Sequence, residues 1–311
     1  MNAMKLAVPL LVTLAYGSSQ GLAAPILGSD LASFAVLGHS TVTNTNPATN
    51  LPFGPTTIGG NVGDWATSVA ANAVVGLLPT QVSGTIYAGP APGTSTQALA
   101  QSQLGIARTD LGLLGPGTPE PVDLSGLTLF PGVYTVPAGA SNLTGTLTLD
   151  GQGNANAFWV FQMPSTLITS PGSVVNVINT GPGAGLFWNV GSSAIIDTTT
   201  TFEGNILALA AITLNTGATI GCGRALANTA AVTMDTNTIS IGCTTELGGS
   251  TTHLAGSNGL SGGLTVIPGP NGTGTPTPLP FAPVPEPGTL VLFGFGLAGL
   301  FVFRKRLPPV A

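Results

Sequence analysis

Charge is what this sequence has least of: 5% of its 311 residues are Asp, Glu, Lys or Arg, against roughly a quarter in an ordinary soluble domain. Lys5, Arg304, Lys305 and Arg306 stand in the terminal segments, so Arg108 and Arg224 are the basic residues left to the body. Two arginines cannot build the basic patch that a nucleic acid requires, and nucleic acid is excluded as a partner. The two histidines, His39 and His253, are far apart in sequence and form no evident triad or metal cluster. The acids are scattered, so the clustered carboxylates and basic residue of a β-helical polysaccharide lyase are missing. No enzymatic activity, metal or cofactor is expected. Two cysteines without a nearby histidine argue against a thiol catalyst or a metal site.

The two ends carry addresses. Residues 1–23 read as a signal peptide, with Lys5 as the positive region, "LAVPLLVTLAY" as the apolar core and "GLA" as the small-residue site, cleaved after Ala23 by signal peptidase. The apolar run is 11 residues, far short of the roughly 20 that a membrane span needs. Residues 284–311 contain "VPEPGTLVLFGFGLAGLFVFRKR". Pro285, Glu286 and Pro287, an uncharged and mostly apolar stretch and then a basic cluster resemble the PEP-CTERM sorting signal. That resemblance implies processing by an exosortase at the surface of a Gram-negative bacterium that makes exopolysaccharide, with transient anchoring by the C-terminal segment. The competing reading is a plain anchor held by Arg304, Lys305 and Arg306. Residues 248–283 are dominated by Gly, Ser, Thr and Pro and read as a flexible linker.

Residues 24–247 show short apolar alternation punctuated by Gly, Asn, Asp and Pro, the pattern of many short strands. "AIIDTTTTFEGNI" from Ala194, "ITLNTGATIGCGR" from Ile212 and "VTMDTNTISIGC" from Val232 superimpose, the last one residue shorter in its middle. Repeats at this period mean a solenoid. Ile196, Leu214 and Met234 are expected to point inward, as are Phe202, Ile220 and Ile239. Outside, the alignment puts Thr198, Thr216 and Thr236 in one hydroxyl column and Thr201, Thr219 and Thr238 in another. "TLITSPGSVV" from Thr166 extends the columns with Ser170 and Ser173. "IGC" occurs twice, ending at Cys222 and Cys243, so equivalent positions on neighbouring coils lie within disulfide reach. In an exported protein a bond there is expected.

One segment breaks the strand pattern. From Thr94 to Gly115, Ala100, Leu104, Ala107, Leu111 and Leu114 fall at helical spacing, with Ser95 or Thr96 as N-cap and Gly115 as terminator. Such a stripe suits a helix laid against the solenoid wall. "DWATSVAANAVVG" from Asp64 reads as a second helix or a decorated loop. "DGQGNAN" from Asp150 has a faint calcium-loop look, but Phe161 stands where the twelfth-position Glu belongs, and a turn between coils is the better reading.

"FAVLGHSTVTNT" (Phe34 to Thr45), the stretch from Thr128 to Gln162, "LFWNVGSSA" (Leu186 to Ala194) and "TTFEGNILALAAITLNTGATIGCGRALA" (Thr200 to Ala227) together resemble the DUF3494 ice-binding-protein-like domain. The resemblance covers nearly all of the exported body. It implies an all-β fold with one long helix, a right-handed triangular β-solenoid with an α-helix alongside, whose N-terminal stretch joins the stack out of sequence order. It further implies an ice crystal surface as partner, bound by a flat threonine-rich face. The family's T-A/G-x-T/N motif falls on Thr216, Gly217, Ala218 and Thr219. The region from Gly63 to Gly93 departs from the family pattern, and Ile195, Asp197 and Glu203 would interrupt a uniform hydroxyl surface.

Stacked coils place hydroxyls about 4.8 Å apart up the stack and about 6.7 Å apart along each strand. Threonine suits a rigid water-ordering grid because its branched side chain holds few rotamers and loses little entropy on docking. The rival reading is structural: outward threonines are good strand residues, and a stiff solenoid also serves a surface or biofilm-matrix protein that contacts exopolysaccharide.

Overall fold

The computed structural model describes residues 24–46, 54–65, 74–89, 92–243, 254, 256–267 and 274–284. The expected signal peptide, the sorting motif at Pro285 to Pro287 with its apolar stretch, and His253 lie outside the described residues. The regular structure is mostly strand, with one long helix, α1 (Thr96–Leu113). Among the described residues no helix is long and apolar enough to cross a membrane.

The strands of the main body pair in parallel, each with its counterpart one coil away. A coil meets its neighbour at three places: Ala194–Ile196 pairs with Ile212–Leu214, Thr201 and Phe202 pair with Thr219 and Ile220, and Asn205 to Ala208 pair with Arg224 to Ala227. Between these strands the backbone turns through left-handed positions at matching levels. Gly172, Thr199, Gly217 and Thr236 have φ of 70°, 55°, 71° and 52°. Hydrogen bonds from Gly172 to Thr198, Thr199 to Thr216 and Gly217 to Asp235 carry the ladder across the turn.

The inward side chains lie where the alternation puts them. Ile196, Leu214 and Met234 are level and buried, as are Phe202, Ile220 and Ile239. Deeper in the stack Tyr134, Phe161 and Trp188 occupy one register column. Their rings stack at centroid separations of 5.6 and 4.1 Å, and Phe202 continues the pile at 5.0 Å. A parallel stack repeats its inward positions every strand spacing, so like side chains meet along the axis.

The N-terminal stretch does join out of order. Phe34–Gly38 pairs with Thr219–Ala227, Val42–Asn44 with Val232–Met234, and Thr57–Gly59 with Thr238–Ser240. The segment that departs from the family pattern adds one more coil beyond these. Val74 lies on Val42, Val82 on Ile58 and Ile86 on Val62, one contact at each strand position. The helix or loop expected from Asp64 is therefore in part a strand, Val74–Val75.

Helix α1 begins at the expected cap, with the Ser95 hydroxyl accepting from the Ala98 amide. Its stripe, Ala100, Leu104, Ala107 and Leu111, is buried against Phe34, Leu37, Val160, Phe187, Leu207 and Leu226. Those residues face outward from the coil wall, so the helix packs on one wall. Cys222 and Cys243 form a disulfide. The bond is as expected but its register is not: the ladder pairs Ile220 with Ile239, so the two "IGC" triplets are not level. Closing a loop of this size stabilises by about 3 kcal/mol in the chain-entropy picture.

The linker reading of 248–283 does not hold for its described part. Leu264–Val266 pairs antiparallel with Ala24–Pro25 and with Pro276–Pro278. Leu254, Leu260, Leu264 and Val266 are buried. Apolar residues spaced among the Gly and Ser give this segment something to bury, which composition alone concealed.

Candidate functional site

Two walls of the stack remain outside α1. The first carries a register column of Thr57, Thr238, Thr219 and Thr201, continued by Val174 and Thr146. Thr201, Thr219 and Thr238 are half-buried and Thr57 is exposed. Thr57 donates to the Thr238 hydroxyl at 3.2 Å, and Thr219 reaches the Thr200 carbonyl at 3.5 Å. Each outward threonine is followed by a buried apolar residue, Ile58, Ile239, Ile220 and Phe202. The core thus fixes the backbone behind every hydroxyl.

Thr198 and Thr216 are half-buried at the corner where this wall begins. The Thr216 hydroxyl donates to the Asp235 carboxylate at 2.5 Å, and Thr198 bonds to Asp197 through its amide (2.7 Å) and hydroxyl (3.3 Å). Asn215 donates to Asp197 at 2.8 Å. That bond, with the Thr198 amide, holds the Asp197 carboxyl below the usual carboxylate range. A turn at Thr216 and Gly217 separates Thr216 from the strand that opens at Thr219. Ala218 between them is fully buried.

Three expected site residues lie elsewhere. Thr236 is level with Gly217, not Thr216; it is 4% exposed, and its hydroxyl accepts from the Gly217 amide at 3.2 Å. Asp235 takes the place level with Thr216, because the residue missing from the shorter repeat is the counterpart of Asn215. Ser173 is fully buried and donates to the Leu143 and Ser170 carbonyls. Val174, one residue on, holds the position level with Thr201. Ser170, half-buried and bonded to Ser141 at 3.0 Å, is likewise one residue short of the column. The one-residue slip turns these side chains to the wrong side of the strand. Glu203 does not interrupt the surface either, being 3% exposed.

Thr57 escaped the sequence reading because it is 181 residues from Thr238. Thr213, Thr233 and Thr43 form a further half-buried column on the third wall, beside the exposed Ile195. Their signal was present in the repeated "ITL", "VTM" and "VTN" triplets.

The body's two arginines are structural. Arg224 is fully buried and donates to Asn205, Asn258 and the carbonyls of Ala32 and Gly259; burial pushes its guanidinium down to about 9. Arg108 donates from α1 to the carbonyls of Leu207 and Val190. Among the described residues no group of three His, Cys, Asp or Glu could hold a metal ion. His39 packs edge-on against Trp65 at 4.9 Å.

Residues 36–240 match the family described as Ice-binding-like, and residues 283–306 match the PEP-CTERM protein-sorting motif. The chain belongs to the ice-binding-like family. An ice-binding protein of Nostoc sp. (strain HG1) is 40% identical over 278 residues, covering 88% of this chain and 85% of that one. An ice-binding protein of Colwellia sp. is 31% identical over 76% of this chain and 93% of its own. Among solved structures, the ice-binding protein of the Antarctic ascomycete Antarctomyces psychrotrophicus superimposes with TM-score 0.57 at 31% identity, covering 68% of this chain and 96% of that one. The DUF3494 domain of ice-binding protein 1 from Shewanella frigidimarina gives 0.58 at 28% identity, over 71% and 98%. In this ice-binding-like fold α1 packs on one wall, and the threonine columns lie on the others.

Proposed function

We propose that the protein is exported and adsorbs to ice through the wall that carries Thr57, Thr238, Thr219 and Thr201, joined at the corner by Thr216 and Thr198. The observation that carries this reading is the register column itself: threonines repeating at strand spacing, about 4.8 Å, on a wall away from the one that α1 packs on. Each side chain presents a methyl and a hydroxyl on a backbone fixed by the core. Such a grid orders water into a layer that merges with a crystal. Strongly hydrated ions would hold that water in another arrangement, and the column holds none. The names of the relatives support the same reading.

The body, residues 24–247, is taken as a right-handed triangular β-solenoid that catalyses nothing. Signal peptidase removes 1–23, and 284–311 anchors the chain transiently until an exosortase of a Gram-negative host processes it, leaving the body at the cell surface or released. The matching sorting motif supports this route. Purified protein assayed for ice shaping, thermal hysteresis and recrystallisation inhibition tests the function. Activity in all three is expected. Inactivity in all three would end this reading and leave a non-catalytic matrix or adhesin role toward exopolysaccharide.

A further inference from the structure

The expected turn between coils at Asp150 to Asn156 is in part a strand: Thr146–Asn154 runs on through Asn154 with a register shift after Asp150, and the turn itself is at Ala155 and Asn156. This strand end and turn have another occupant. Residues 280–284, which run into the sorting motif and end just before Pro285, lie along it. The Ala155 amide donates to the Ala282 carbonyl at 2.6 Å and the Val284 amide to the Gly153 carbonyl at 2.9 Å. Two asparagine side chains complete the contact: Asn154 Oδ1 accepts from the Ala282 amide at 3.1 Å, and Asn156 Nδ2 donates to the Pro280 carbonyl at 3.0 Å. Upstream the strap is pinned as well, by Leu279 to Gly263, by pairing with Leu264–Val266, and by Gly274 to Asp110 of α1. The final stretch is held by polar contacts rather than by burial, since Phe281 is 66% exposed.

We propose that this turn is an asparagine clamp for the tail, and that docking of 280–284 holds the sorting motif back from the enzyme that removes it. The inference rests on the sorting reading given above. Tail removal breaks one peptide bond: the acyl carbon passes to water or an acceptor amine, and the severed tail leaves as the free amine. An enzyme that grips its substrate as an extended strand needs the backbone groups on the body side of that bond, and those of Ala282 and Val284 are already engaged. The strap must open first. Polar contacts at an exposed segment open more readily than a packed core, so the clamp sets a rate without blocking the reaction. Gly288 is four Cα steps from Val284, a reach of about 14 Å at full extension. With the strap docked, chain connectivity alone limits Gly288 to that distance from Val284.

The test uses the full chain in a host with the sorting enzyme, following tail loss over time. Asn154→Ala together with Asn156→Ala removes both side-chain contacts and is expected to speed tail loss about fivefold or more, the effect of losing about one net hydrogen bond. Asn154→Asp keeps the acceptor and should behave as the unaltered chain. Hydrogen exchange at the Ala282 and Val284 amides, measured on full chain from a host without the enzyme, should quicken in the double variant. Faster exchange with unchanged or slower tail loss overturns the gating role, and unchanged exchange overturns the clamp. If no variant, nor the unaltered chain, loses its tail, the sorting reading fails while exchange still decides whether the asparagines hold the strap.

Discussion

At the scale of single residues, Thr219 and Glu203 show how much a side chain's facing decides. Thr219 points out of a wall whose core residue is Ile220, so Thr219→Tyr puts a bulky ring on a flat column without disturbing the interior. Stability should change by about 0.5 kcal/mol, as for ordinary surface substitutions, while hysteresis falls sharply. Thr94, exposed before α1, is the control position. Equal loss of ice activity at both positions would remove the column from consideration. Glu203 gives a pH signature. Burial pushes its carboxyl up to about 8, with one compensating hydrogen bond from the Cys222 amide, and among the described residues its Oε2 has no partner. A raised folded pKa means that the native state holds the proton more tightly than the unfolded chain. The resulting stability is fully present below the ordinary value near 4.5 and is lost as pH rises through about 8. Thermal midpoints should therefore decline between about pH 5 and about pH 9, and Glu203→Gln should flatten that decline. A native slope that survives the substitution would assign it to another group.

At the scale of elements, α1 is a wall cover and not a decoration. Leu104 is fully buried among outward residues of the coils, so Leu104→Ala should cost about 2–5 kcal/mol through lost burial and a residual cavity. Because α1 lies on a different wall from the threonine column, ice activity below the new melting temperature should persist. Denaturant titration with a hysteresis assay on the same sample checks both halves. Loss of activity in still-folded protein would place the helix-covered wall back among the candidates. The helix was legible in the sequence because a stripe at 3.6-residue spacing has one physical use. The strand register was legible less completely. Ile196, Leu214 and Met234 align by apolar identity, whereas a hydroxyl residue serves equally at an outward site, a turn or a buried bond. Ser173 and Thr236 were misplaced for that reason.

At the scale of the whole molecule, the C-terminal strap belongs to the fold. Asn258 and the Gly259 carbonyl satisfy Arg224, and Leu260, Leu264 and Val266 are buried against the stack and helix. A chain ending at Gly248 should unfold at a markedly lower temperature than one ending at Val284, since each buried aliphatic side chain contributes about 1.5–3 kcal/mol and Arg224 loses acceptors. Coincident melting curves would return the strap to the status of a tether.

By itself the sequence determined the C-terminal sorting motif, the repeat, the inward columns, the helix and the presence of a disulfide. Each rests on a local pattern: a charge beside an apolar run, a period, or an alternation. Tertiary structure alone decided which threonines share a surface. Thr57 meets Thr238 only because the N-terminal stretch docks beside the last repeat, a contact across 181 positions that no local pattern encodes. It also decided where the Gly- and Pro-rich segment goes. Composition records how little that segment has to bury, but not that α1, Arg224 and the turn at Asn154 offer it donors, acceptors and a wall to bury against.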